Sequence, residues 1–413
     1  MGIFSVISLL GGLSIFLYGM DIMGDGLKSS SSKALKSMLE KVTHSAVLGM
    51  LTGTLVTSVI QSSTATIVLT VGLLSAGILN LRQSISIVMG ANIGTTVTAQ
   101  IIRLMDINSS GAAFIEIFKP STLAPLAVLC GIIFLKFVKS QKTKGIGMML
   151  MGFGILFTGL MGMTEAVSPL SESQAFTDVL QKFSDVPILG ILTGLITTFI
   201  VQSSSAVIGM VQALSSTGAF TFQTVYPLII GINLGTCITT AIVCSIGTDK
   251  DAKRTGIAHI LFNCIGTVLF MAAIPLLHHA GALNFIWGKP MNSGGIANFT
   301  TIFNLVTAVA LLPFTNQLVK LTTVIVKDSP DDAEEAYPEM RTLDEKLFIS
   351  PAVALHQVNV AAASMGRLAR KNFNRSIDQL VSYDPERSAK ISSAEDRLDG
   401  FTDAAENYLI KLS

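Results

Sequence analysis

The 413-residue chain is 50% hydrophobic and only 13% charged, with a mean hydropathy of +0.62. That is too apolar for a soluble globule and points to a polytopic, all-α membrane protein, while a formal net charge of +1 offers nothing to a nucleic-acid partner. The four cysteines, Cys130, Cys237, Cys244 and Cys264, stand singly in apolar runs with no C-x-x-C spacing, and read as small core residues.

The first apolar segment, 3–23, has no basic stretch before it and no small-residue cleavage site after it, so it is expected to be a retained span and not a signal peptide. Ser14, Tyr18, Asp21 and Asp25 recur along it at helical spacing as one polar stripe, expected at the cytoplasmic mouth. Further apolar segments follow at 48–79, 84–104, 120–138, 146–164, 188–220, 224–247, 256–278 and 296–326. A helix needs about 20 residues to cross about 30 Å of hydrocarbon. Segments 48–79 and 188–220 are too long for one crossing and too short for two with a turn, and each carries Gln-Ser-Ser near its middle. Re-entrant hairpins fit that length. A helix broken at membrane depth is tolerated only where protein or a wet cavity surrounds the break, so both breaks are expected to line a cavity.

One shift, without a gap, carries Gln61-Ser62-Ser63-Thr64-Ala65 onto Gln202-Ser203-Ser204-Ser205-Ala206 and 49–100 onto 190–241. The identities it produces are mostly not apolar: Gly49/Gly190, Thr52/Thr193, Gly53/Gly194, Ser75/Ser216, Gly77/Gly218, Gly90/Gly231, Asn92/Asn233, Gly94/Gly235, Thr95/Thr236 and Thr98/Thr239. Shared hydrophobicity does not produce such a set, so the chain is read as a duplication, with 1–140 and 141–326 as its halves. Basic residues gather at Lys28, Lys33, Lys36 and Lys41, at Lys136, Lys139, Lys142 and Lys144, and at Lys250, Lys253 and Arg254. These clusters are expected on the cytoplasmic side, with 165–187 and 279–295 facing outward. Seven full spans and two hairpins result, and the odd number of crossings between the copies turns the second upside down. Inverted repeats whose broken helices meet near the midplane are an architecture of secondary transporters.

At each break, the half-helix that begins near Ser62 or Ser203 presents unpaired N–H groups and a positive dipole end, which suit an anion. The half-helix that ends near Gln61 or Gln202 offers unpaired carbonyls, which with side-chain oxygens suit a small hard cation. Isolated hydroxyls in membrane helices commonly just bond neighbouring carbonyls, but a polar core repeated at related places is a different matter.

These runs resemble the type II sodium-dependent phosphate cotransporters, over about residues 10 to 325. The likeness rests on the doubled Gln-Ser-Ser motif, on Gly-Ala-Asn-Ile-Gly-Thr-Thr at 90–96 with its partner Gly-Ile-Asn-Leu-Gly-Thr at 231–236, and on Phe262-Asn263 echoed by Phe303-Asn304. The resemblance implies a sodium-coupled phosphate carrier working by alternating access, without enzymatic activity or a cofactor beyond sodium as the coupling ion. It implies that Ser62, Ser63, Thr64, Ser203, Ser204 and Ser205 contact phosphate or adjacent sodium. Gln61, Gln202, Asn92, Thr95, Asn233 and Thr236 then supply the sodium shell or brace the hairpins. Ile260 stands where some electrogenic members carry an acidic residue. Asn263, Asn304 and His259 are expected to pack helices together, and Glu116 to form a solvated pair with Lys119. A carrier of another oxyanion and a membrane phosphate sensor stay open as readings, as does a homo-oligomer.

Beyond 326 the composition turns polar: 327–345 is an acidic, proline-bearing linker, and 346–413 has the period of amphipathic helices. This tail resembles part of a PhoU-like helical domain, expected in the cytoplasm beneath a plasma or inner membrane. Its Glu395, Asp396 and Asp399 match an E-D-x-x-D pattern that in such domains can bind metal, although one short acidic run cannot close a coordination shell and reads first as a solvated helix face.

Overall fold

A computed structural model describes residues 3–40, 45–75, 78–106, 119–245, 250–327 and 351–412, together with Leu343, Glu345 and Phe348. Lys41, Glu116 and the acidic linker at 328–342 lie outside the described residues. Among those described, seven segments are long and apolar enough to cross a membrane: Ile3–Ser31, Leu81–Asp106, Pro120–Phe137, Lys142–Leu170, Phe222–Ser245, Lys250–His279 and Ser293–Ile325. The protein is an all-α, multi-pass membrane protein.

The two overlong stretches each divide into a pair of short apolar helices, α2 (Ala46–Ile60) with α3 (Ser63–Ser75) and α8 (Pro187–Val201) with α9 (Ser204–Ser215). Each pair precedes a long helix, α4 (Leu81–Ile102) or α10 (Phe222–Ser245), and is framed by α1 (Ile3–Glu40), α5 (Pro120–Phe137), α6 (Gln141–Val167), the amphipathic α7 (Gln174–Asp185), α11 (Lys250–His279), α12 (Ser293–Leu311) and α13 (Thr315–Ile325). Pro313, which has no N–H to give, sits in the 3-10 turn that separates α12 from α13.

Glycines set the closest contacts. Gly12, Gly19 and Gly26 of α1 meet Gly159, Gly152 and Gly145 of α6, and a Cβ at Gly19 would collide with the backbone nitrogen of Leu156. Numbers rise along one helix as they fall along the other, so α1 and α6 are antiparallel. With no hydrophobic drive between helices in lipid, close backbone approach is what holds such a pair. Gly19→Leu is therefore expected to separate α1 from α6 and to lose most monodisperse protein in size-exclusion chromatography. Gly11→Leu, where a Cβ meets nothing within 4 Å, is expected to elute as wild type.

The pairing of α2 with α4 and of α8 with α10 repeats contact by contact under the shift that takes Gln61 to Gln202. A Cβ at Gly53 would strike Ile87 O and one at Gly90 would strike Met50 O; in the second copy Gly194 meets Leu228 O and Gly231 meets Ile191 O in the same way. The contacts of the first pairing thus recur in the second.

Arg254, of the third basic cluster, is buried: it donates to Asp251 and, from Nε and Nη2, to Val326 O, tying α11 to the end of α13. The tail forms a helical hairpin of α14 (Pro351–Val381) and α15 (Pro385–Leu412), joined where Asn372 Nδ2 donates to Ile391 O and to Glu395 Oε2. Its Ala354 and Tyr408 share one apolar cluster with Val56, Ile60, Leu69 and Leu73 of α2 and α3.

Candidate functional site

Gln61 and Gln202 end α2 and α8 in the left-handed region, at φ 59 and 57, and are the non-glycine residues with positive φ among those described. A side chain there costs about 1–2 kcal/mol, so the same strain at two related positions calls for a reason. Each glutamine's N–H still reaches back, Gln61 to Thr57 O and Gln202 to Thr198 O, both at 2.7 Å. The chain then restarts as a helix at once. Ser62 Oγ accepts from Ala65 N and Ser203 Oγ from Ala206 N, each at 3.2 Å, so both serines cap the helix that follows.

A cap at the third amide leaves the first two without a partner. Ser63, Thr64, Ser204 and Ser205 therefore carry N–H groups that find no acceptor among the described residues, and their hydroxyls are equally uncommitted. The caps accept hydrogen bonds and keep their own O–H protons for something else. All of these groups line one cavity of about 50 Å³, bounded by Gln61, Ser62, Ser63, Thr64, Thr95, Thr198, Gln202, Ser203, Ser204, Ser205, Thr236 and Thr239. A cavity of about 10–15 Å³ already admits one water, so this one has room for more than a single water.

Of the residues that the sequence assigned to phosphate and sodium, all line this cavity except Asn92 and Asn233. Asn92 donates to Val88 O, and its Oδ1 lies 3.0 Å from His259 Nε2; Asn233 donates to Ile229 O and accepts from Asn304 Nδ2 at 3.2 Å. Each asparagine ties its long helix to α11 or α12, outside the cavity lining. His259, Asn263 and Asn304 are buried in this same packing. The stripe on α1 is exposed and does not line the cavity: Ser14 Oγ donates to Leu10 O and Asp25 pairs with Lys28. Of the tail's acidic run, Glu395 accepts from Asn372, and no group of three His, Cys, Asp or Glu side chains among the described residues is placed to hold a metal ion.

Sequence reasoning missed three contributors. Thr198 and Thr239 line the cavity, and Gln212 of α9 donates to Ala99 O and to Ser293 O and Oγ, pinning the second short pair to α4 and α12. Thr239 belonged to a visible identity pair with Thr98. Gln212 corresponds to the apolar Val71 in the first copy, so the repeat carried no signal for it.

The chain matches the Na+/Pi-cotransporter family profile twice, over residues 15–165 and 163–308. It belongs to that family. The Na+/Pi-cotransporters are transporters, and this member is not an enzyme. Among its relatives, the uncharacterized protein YqeW of Bacillus subtilis is 29% identical over 312 residues, 75% of this chain and 95% of that protein. YjbB of Escherichia coli (strain K12), provisionally named for inorganic phosphate export, is 22% identical over 409 residues, 99% of this chain and 71% of that one. Sodium-dependent phosphate transport protein 2B of Homo sapiens is 34% identical over 108 residues, 26% of this chain and 16% of that protein. No solved structure matches.

Proposed function

We propose that this Na+/Pi-cotransporter family member is a secondary transporter that moves inorganic phosphate with sodium by alternating access. The observation that carries the reading is the meeting of four uncommitted amides and the hydroxyls of six serines and threonines in one cavity at two helix N-termini. Such donors, at positive dipole ends, recognise an oxyanion without a basic side chain. The C-terminal ends of α2 and α8 lie at the same breaks, where final carbonyls lack intrahelical donors, and Gln202, Thr95 and Thr236 line the cavity beside them, with Gln61 also in the lining but its Oε1 taken by Thr98. Negative helix ends beside positive ones suit a cation and an anion bound as neighbours. Asn92 and Asn233 act as braces in this scheme, holding the long helices against which each short pair is set.

Each short helix pair is a re-entrant hairpin, and the second copy is inverted relative to the first. The antiparallel contact of α1 with α6 supports this, since the shift between the copies relates these helices. The basic clusters put hairpin 48–79 on the inner side and 188–220 on the outer side, with the linker 327–345 and the partial PhoU-like domain 346–413 in the cytoplasm. The two halves, 1–140 and 141–326, rock about the shared site.

Labelled phosphate flux into proteoliposomes tests the proposal. Flux is expected to be large with a sodium gradient and near background when choline replaces sodium. Equal flux in the two media removes sodium coupling; no phosphate flux, with flux of another oxyanion, reassigns the cargo.

A further inference from the structure

The two helix breaks have the same backbone and different side-chain chemistry. At the first, Gln61 is closed on its own half: Nε2 donates to Ser58 O at 2.5 Å, and Oε1 accepts from Thr98 Oγ1 at 2.6 Å. Thr57, one turn before Gln61, donates to Thr66 Oγ1 at 2.9 Å. At the second break none of this recurs among the described residues. The counterpart of Thr66 is Val207, so Thr198, which matches Thr57, has no hydroxyl to meet. Thr198 is 1% exposed, lines the cavity, and its Oγ1 is buried without a hydrogen-bond partner. The side chains of Gln202 and Thr239, counterparts of the bonded pair Gln61 and Thr98, make no hydrogen bond among the described residues and also line the cavity.

A buried hydroxyl without a partner is costly and persists where something else answers it. Thr198 and Gln202 belong to the last turn and end of α8, the negative end of a helix whose final carbonyls lack intrahelical donors. Acceptor oxygens gathered at a helix C-terminus select a cation. The oxyanion donors lie on the other side of the break, at the start of α9.

We propose that the two halves are unequal, and that the coupling cation is seated at the second break by Thr198 Oγ1, the Gln202 side-chain oxygen and Thr239 Oγ1. The first break is a closed structural copy whose glutamine is held by its own half. This rests on the sodium-coupled reading above and adds which half binds the ion.

The test compares Thr198→Val with Thr57→Val, each a near-isosteric loss of one hydroxyl. In phosphate flux, Thr198→Val is expected to raise the sodium concentration for half-maximal rate at least about tenfold, with the phosphate KM at saturating sodium little changed. Thr198→Ser restores wild-type behaviour, and Thr57→Val stays within about twofold of it. Thr239→Val, on a half-buried position, gives a second route to the same shift if Thr198→Val does not fold. Purified protein supplies a readout without flux: sodium chloride, against choline chloride, raises the melting temperature of wild type and of Thr57→Val but not of Thr198→Val or Thr239→Val. Wild-type sodium dependence in the folded Thr198 and Thr239 variants, or an equal shift in Thr57→Val, overturns the inequality while leaving sodium coupling intact. Sodium-independent flux in wild type overturns both.

Discussion

Ser204→Pro is expected to fold, to insert, and to lose phosphate transport by about two orders of magnitude. Proline is tolerated at the first position of a helix, where its missing N–H has no intrahelical acceptor and its fixed φ is already helical. Ser204 is that first position in α9, and Ser203 before it has φ −143 and ψ 105, an extended conformation that a following proline accepts. The substitution therefore leaves the cap and the helix in place. It removes one amide donor and one hydroxyl from the cavity. A hydrogen bond to a charged group contributes about 1.5–3 kcal/mol, so two such losses reach about a hundredfold or more, while Ser204→Ala, which keeps the amide, loses about tenfold. Equilibrium binding of labelled phosphate to purified protein, alongside circular dichroism, measures both. Unimpaired binding in folded Ser204→Pro would place the anion away from the α9 N-terminus.

Most of the architecture was legible because lipid imposes strict rules on a sequence. Segment length together with a Gln-Ser-Ser at mid-segment set the two overlong stretches apart from the seven crossing segments, and the predicted break falls at Gln61 and Gln202, where the left-handed residues stand. The doubled Gln-Ser-Ser located the cavity because polar residues in apolar surroundings are expensive and are retained together only where they have something to do. The remainder was hidden for physical reasons. An asparagine in a G-x-N-x-G-T run looks the same whether it faces a ligand or a neighbouring helix, and only the contacts of Asn92 with His259 and of Asn233 with Asn304 show that both face neighbours. The difference between the halves was also out of reach from the motif: it turns on Val207 in the place of Thr66, one residue whose effect is to leave a different residue, Thr198, unpaired.

The second large effect expected is one of sidedness. Cysteines at Ser63 and Ser204 should be labelled by impermeant thiol reagents from opposite faces, Ser63→Cys from the cytoplasmic side and Ser204→Cys from the outside. The background must lack Cys130, Cys237, Cys244 and Cys264; Cys237 and Cys244 are buried, so alanine is the replacement that keeps them packed. The physical basis is the relation of the copies. If each short pair starts from the side on which its own half begins, antiparallel α1 and α6 send the two pairs toward one another from opposite surfaces. Both tips line a single cavity, so one occupied site shields both, and sodium with phosphate together should slow labelling at each position by about tenfold or more, with either alone doing less. A fixed structure exposes the shared cavity to one side at a time; labelling of each tip from its own face requires that the protein pass between states, and ligand protection from both faces ties those states to a single site. Labelling of both cysteines from one face only, unaffected by ligand, would rule out the inverted hairpins and the alternating access built on them.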